Sequence, residues 1–555
     1  MATKLTNLVK DRSADSSEGD FQGAMADAVS GYSAEVIAAA LAQVAGTRAS
    51  RPTPSRPPRV CSASTPATAA RAAARAPSAA KAAPRLAPAL ALSAAAAVRT
   101  TVNRAARASA RRRDFLEGTG MTRLRVSLSL GAASTLLFFA NGASAQSGTT
   151  DFDVPQFYGR GKNTSVLERD RSEYQAIGVH AGAFTVYPKL NVGVSSTDNV
   201  YPGANTAALK NKSDQYATIA PSVFVASDWS RHSLSGSASV LRQEYSKFST
   251  ENSTGWDVRG NARLDVHADS YINLGGDAQR VYEARGSQNS ISTASKPIPL
   301  DTQGAYVRGL YSADRVRTAV DLDYRNFDYK NVPGALFEDT RDFEQKRASL
   351  RADFALSPDT AIFAKVAGAQ NKYRQGTSTG VITDKRDSSE FRALTGANFD
   401  LSDVARGEIG VGYVSRDYDS VFFKDVKGVA VAAKIEYFPT QLITVTGVAQ
   451  RSVQDAAFSR SGGYFQNTVS VSADYELRRN FIVSAAAGYE RDEFQGVDRS
   501  DKVANVGLGA RYLVNRSFGI GASVSYADRK SSGAAATIGP QFNVTRIGLS
   551  LVFQR

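Results

Sequence analysis

From Ala183 to the C-terminus the chain repeats one unit: a stretch of alternating apolar and polar residues, a very short turn, a second such stretch, then a long polar loop. Period two places successive side chains on opposite faces of a strand. In Arg347–Leu356, Ala348, Leu350, Ala352, Phe354 and Leu356 fall on one face, with Arg347, Ser349, Arg351 and Asp353 on the other. The segments 256–266 and 504–512 divide in the same way, with Val258, Leu264, Val506 and Leu508 on their apolar faces.

A soluble sandwich of antiparallel sheets also alternates, so the connections have to decide. Short turns are expected near Trp229-Ser230-Arg231, Ala268-Asp269, Ala313-Asp314, Pro358-Asp359, Ser402-Asp403, Pro439-Thr440, Arg478-Arg479 and Asn515-Arg516. Between them lie long polar segments, including Glu283–Thr302, Phe327–Asp342, Asn371–Ser389, Ala456–Gln466 and Arg491–Lys502. Short turns at one end and long loops at the other are the rhythm of an outer-membrane barrel, whose two ends face different compartments. The reading is all-β: a transmembrane, antiparallel, up-and-down β-barrel over residues 183–555 of about 16–18 strands, wide enough for an aqueous lumen. The weakest face assignment is Leu442–Val448, where both faces look apolar.

The formal charge of +14 would by itself suggest a nucleic-acid partner, but it is unevenly placed. Residues 1–145 hold 19 of the 67 basic and 8 of the 53 acidic residues, or +11, which leaves 48 basic and 45 acidic in the remainder. No nucleic-acid partner is expected. The single cysteine, Cys61, also lies upstream, so the barrel carries no thiol chemistry. Met121 opens a secretory signal peptide over 121–145: Arg123 and Arg125, an apolar core from Val126 to Ala140, then Ala143-Ser144-Ala145. Residues 1–120, rich in Ala, Arg, Pro and Ser, read as a low-complexity extension ahead of the true start. Residues 146–182 read as a polar periplasmic lead-in.

Aromatic residues gather at strand ends (Tyr311, Tyr324, Tyr437, Phe438, Tyr475, Phe481, Tyr489, Tyr512, Phe518 and Tyr526), where they would form interfacial girdles. The last strand, Thr545–Arg555, alternates Ile547, Leu549, Leu551 and Phe553 outward. It is similar to the C-terminal signal by which such proteins reach the barrel-assembly machinery, although Arg555 stands where a terminal aromatic is usual.

At the junction of lead-in and barrel the chain reads Val166-Leu167-Glu168-Arg169-Asp170-Arg171-Ser172-Glu173-Tyr174, then Gly178, Gly182-Ala183-Phe184, Tyr187-Pro188 and Thr197-Asp198-Asn199-Val200-Tyr201. This resembles the putative β-barrel porin 2 family, with Ser172 in place of a proline and His180 in place of an arginine. The resemblance implies an outer-membrane barrel with no assigned enzymatic role. It also implies an association with exopolysaccharide export or attachment.

His180, His232 and His267 are the only histidines, all at the expected periplasmic end, and the chain has no GxSxG, HExxH or phosphate-binding loop. Neither catalytic residues nor a cofactor or metal site is expected. The candidates for function are charges on the inward face, since an Arg facing lipid near the midplane costs about 2–4 kcal/mol. They are Arg259, Arg263, Arg308, Arg325, Arg347, Arg351, Arg392 and Arg511, with Asp265, Asp321, Asp323, Asp353, Glu390, Asp474 and Glu476. They would form either a polar eyelet that filters solutes or a set of mutually satisfied pairs in a plugged lumen. The expected function is a passive channel or export conduit; the alternative is a non-conducting anchor that presents its loops for polysaccharide attachment or adhesion.

Overall fold

The fold was analysed on a computed structural model, which describes residues 163–555 apart from 204–208, 268, 290–292, 379–382, 403, 458–460 and 535–538. The upstream extension, the signal peptide and the first part of the lead-in lie outside the described residues.

Eighteen long strands form one closed antiparallel sheet. In chain order they are β1 (Phe184–Thr197), β2 (Asp214–Ser227), β3 (Ser233–Tyr245), β4 (Ser253–His267), β5 (Ser270–Tyr282) and β6 (Pro299–Ala313). Next come β7 (Val316–Tyr329), β8 (Phe343–Ala355), β9 (Thr360–Tyr373), β10 (Ser388–Leu401), β11 (Ala405–Tyr418) and β12 (Val426–Thr440). The circle is completed by β13 (Ile443–Asp455), β14 (Gly463–Arg478), β15 (Phe481–Phe494), β16 (Arg499–Leu513), β17 (Phe518–Gly533) and β18 (Phe542–Gln554). Each strand pairs with its chain neighbours, and β1 pairs with β18 from Lys189–Gln554 to Thr197–Arg546, which leaves no edge.

The tight connections are all at the end where β1 begins and β18 finishes, as the alternation of turn lengths requires. The three histidines sit at that end, His232 in the β2–β3 turn with φ +64°. Strands of 13 to 16 residues exceed the roughly 9–11 that cross a bilayer core, so their outer turns stand clear of lipid. For that reason several segments read as loops are partly strand. Arg491–Lys502 is strand up to Phe494 and again from Arg499.

The packing is inverted relative to a soluble protein. Val194, Val258, Leu322, Leu350, Val411, Val471 and Leu549 face outward and are exposed, while ionisable residues are buried inside. Tyr311, Tyr324, Tyr437, Tyr475, Tyr489, Tyr512 and Tyr526 also face out, and Phe184 meets Trp229 edge-on at 5.8 Å near the short turns. Phe438 does not join them. It is buried on the inner face, 5.9 Å below the Arg406 guanidinium, because inward Glu436 fixes the parity of its strand. In β13 the inward positions are Thr444, Thr446 and Val448, which settles the ambiguous segment.

Tight strand packing needs glycine at particular places. A Cβ on Gly396 would run into the Ile409 carbonyl, and one on Gly412 into that of Ala393.

Candidate functional site

The inner surface divides into two arcs. On β4–β12 the inward positions hold long charged side chains, tied to one another along and across strands. Arg259 pairs with Asp257 (2.5 Å), Arg263 with Asp265 (2.7 Å), Arg325 with Asp277 (3.0 Å) and Arg347 with Asp323 (2.9 Å); Arg308 pairs with Asp321. Arg351 lies between Asp353 and Glu408, each at 2.7 Å, and its guanidinium covers the Phe363 ring at 4.2 Å. Glu390 accepts from Arg392 (3.1 Å) and Arg416 (2.6 Å), and Arg416 also reaches Asp455 (2.5 Å). From β7 to β12 the charges of this arc are buried, among them Asp321, Arg347, Asp353, Arg392, Arg406, Glu408, Arg416 and Glu436, around a small cavity lined by Arg347, Lys365, Glu390, Arg392 and Arg416.

All the candidate charges named from the sequence stand on the inward face. These fifteen stand in different surroundings. Arg259, Arg263, Asp265, Arg308, Asp321, Asp323, Arg325, Arg347, Arg351, Asp353, Glu390 and Arg392 belong to the paired arc. Glu476 is engaged by the lead-in. Asp474 stands on β14, between the two arcs, and accepts from Ser484 (2.5 Å); Arg511 lies on the opposite arc, within electrostatic reach of it. Arg406, Glu408, Arg416 and Glu436 share the inner face but are not marked by the alternation. On β11 the inward residues between them are Gly410, Gly412 and Val414, so neither face of that strand reads as polar.

The opposite arc, β15–β18 with β1–β3, is lined differently. Ser484, Gly521, Ser523, Ser525, Asn191 and Ser237 face inward and are half-buried. The short side chains leave parts of this inner surface accessible, while Ser195 and Ser550, inward where β1 meets β18, are buried.

Two chain segments enter the barrel. At the short-turn end, the lead-in from Asn163 to Tyr174 runs along the inner mouth, from β10 round to β18. Asn163 Nδ2 donates to Asp400 (2.7 Å), the Val166 amide to Thr444 Oγ1 (2.9 Å), and Arg406 pairs with both Glu436 (2.6 Å) and Glu168 (2.5 Å). Glu476 accepts from Arg169 (3.1 Å) and Arg171 (2.7 Å), and further along the Ser172 and Tyr174 carbonyls accept from Arg516 and Gln554. Burial disfavours the Glu168 carboxylate, but Arg406 outweighs it and holds the carboxyl below its ordinary range. This strap is the stretch carrying the Glu-Arg-x-Arg motif, so the motif's charges anchor chain to barrel.

At the outer end, the β5–β6 connection folds inward to the far wall. Gln288 Nε2 donates to Asp492 (2.8 Å) and to Glu490 on β15; Asn289 bonds the Asp455 carbonyl (3.1 Å). The Gly286 and Gln288 carbonyls accept from Arg529 and Arg499, which share Asp501 at 2.6 Å each. The loop's root is held by Arg285–Glu251 (2.7 Å) and Arg341–Glu283 (2.9 Å). Beyond it, Ala294, Ile298 and Leu300 pack with Phe327, Tyr329, Val332, Ala335, Phe343 and Tyr373 into an apolar cluster inside the rim. The β13–β14 tip also leans in: pairing with β12 stops at Val431–Arg451, and the Phe465 ring comes to rest over Gly428.

No curated protein matches the chain. Solved structures similar to it include the outer-membrane protein OpdK from Pseudomonas aeruginosa, at 11% identity and TM-score 0.38, over 67% of this chain and 99% of that one. The copper transporter OprC aligns at 11% identity and TM-score 0.41, over 73% and 85%. A ferric enterobactin receptor mutant from Pseudomonas aeruginosa aligns at 7% identity and TM-score 0.37, over 66% and 80%. The family described as putative beta-barrel porin 2 matches residues 171–555, the whole barrel. Fold and family together imply an outer-membrane location, and the chain belongs to the putative beta-barrel porin 2 family as a porin-like outer-membrane β-barrel.

Proposed function

We propose that the protein is a passive channel for small polar solutes, working without a catalytic step. The observation that carries this reading is the asymmetry of the lumen. One arc is packed with ion pairs, while the other presents half-buried Ser, Gly and Asn to the interior of an eighteen-strand barrel, a size that leaves room for water. The inward loop and the strap then act as constrictions along that path. Planar-bilayer recording of the purified protein tests it: reproducible single-channel steps are expected. A silent bilayer would overturn the channel and favour a non-conducting anchor.

A role with exopolysaccharide, its export components or the barrel-assembly machinery is a proposal resting on the family resemblance and the C-terminal strand. Loss of surface polysaccharide in a deletion strain is the outcome it requires.

A further inference from the structure

The chain from 146 onward is nearly neutral, 48 basic against 45 acidic residues, which by itself predicts no ionic preference. The placement of the charges predicts one. On the seven strands β15–β18 and β1–β3, register with the outward apolar residues identifies every inward position. At the outer end these strands carry Asp214, Glu490, Asp492, Arg499, Asp501 and Arg529. The carboxylates there are covered: Asp214 is 3% exposed and donated to by the Lys247 and Phe248 amides, and Glu490, Asp492 and Asp501 are 8%, 0% and 0% exposed beside the inward loop.

Apart from that cluster the inward charged groups on the seven strands are Lys189, Arg511 and Arg546, with no carboxylate among them; Arg546 lies level with Asp214 across Thr197. They are spread along the path. Arg511 sits two residues from the inner end of β16, Lys189 pairs in register with Gln554, and Arg546 pairs with Thr197 at the outer end of β1. The neighbouring acids are withdrawn: Asp474 is 8% exposed beneath Ser484, and Glu476 is 2% exposed under Arg169 and Arg171. At the other border of the open arc, Arg259 is 61% exposed whereas its partner Asp257 is 25% exposed. Lys189, Arg511 and Arg546 are half-buried, whereas Glu490, Asp492, Asp501, Asp474 and Glu476 are buried; an exposed carboxylate on this arc, Asp228, stands in the β2–β3 turn at the inner mouth, where Thr185 donates to it.

We propose that the open arc makes the channel anion-selective, with Lys189, Arg511 and Arg546 as the specificity-determining residues and small anionic solutes as the class carried. A narrow path between low-dielectric walls focuses the field of such groups, and lines of basic side chains favour anions in pores. The proposal rests on the channel reading.

The test is the reversal potential of the purified full-length protein across a tenfold potassium chloride gradient. Chloride is expected to be preferred several-fold over potassium. In the triple variant K189Q/R511Q/R546Q the ratio should fall toward one while single-channel steps persist. Steps with no chloride preference in the unaltered protein overturn the proposal without needing any variant to fold; so does a preference the triple variant leaves unchanged. A silent bilayer instead overturns the channel reading beneath it.

Discussion

Glu476→Gln probes whether the strap narrows the inner mouth. Glu476 is 2% exposed and accepts from Arg171, 6% exposed, and Arg169, 22% exposed. Removing its charge takes from the buried Arg171 guanidinium its carboxylate partner while the Val166, Arg169 and Arg479 carbonyls still accept from it, and breaking a buried pair costs about 3–5 kcal/mol. The more open Arg169 pair adds less than about 1 kcal/mol. Taking about 3 kcal/mol, because Gln still offers an oxygen, the population with this part of the strap detached rises on the order of a hundredfold. The Asn163–Asp400 and Arg406–Glu168 contacts remain, so the barrel itself should fold normally. Single-channel recording should then show larger or noisier openings, and limited proteolysis should cut within 163–175 where the native protein resists. Unchanged conductance together with unchanged cleavage would refute the idea that this buried pair holds the strap in the pore.

Acid should act on the strap from the other side. Because Arg406 depresses the Glu168 carboxyl, that contact is fully present above the ordinary glutamate range of about 4.3 and is lost as pH falls below it, so strap cleavage should rise on acidification below that range. The outer loops should behave oppositely. Burial, with Asp328 nearby, pushes Asp342 up to about 6, so the folded loop favours the protonated form; its protection weakens as pH rises from about 4 through 6, and Asp342→Asn should remove the difference in protease resistance between pH 5 and 7.5. Gln288→Leu removes the amide that the inward loop offers to Glu490 and Asp492 and should free that loop, read as increased conductance. Gly412→Ala forces a methyl against the Ala393 carbonyl and should destabilise the barrel by about 1–3 kcal/mol, seen as a lower midpoint in thermal unfolding of the folded band on gels.

Strand faces were legible because period two is local. A residue such as Leu350 or Arg347 reveals its side from its two neighbours, and closure follows once an even number of such strands must hide every edge. Where neighbours carry no contrast the reading stops, as at Arg406 and Arg416 among glycines, or at Phe438, whose aromatic character suits either a girdle or a buried stack.

What the amino-acid order alone determined, then, is the wall: an antiparallel barrel, apolar outside and charged within, turning tightly at one end. What only the tertiary structure decided is the content of the lumen. Gln288 meets Asp492 across 204 positions, and Asn163 meets Asp400 across 237. A polar residue in a loop has the same composition whether it is solvated or crosses a barrel to meet a buried carboxylate. Its partner exists only once the sheet has closed and brought the far wall within reach.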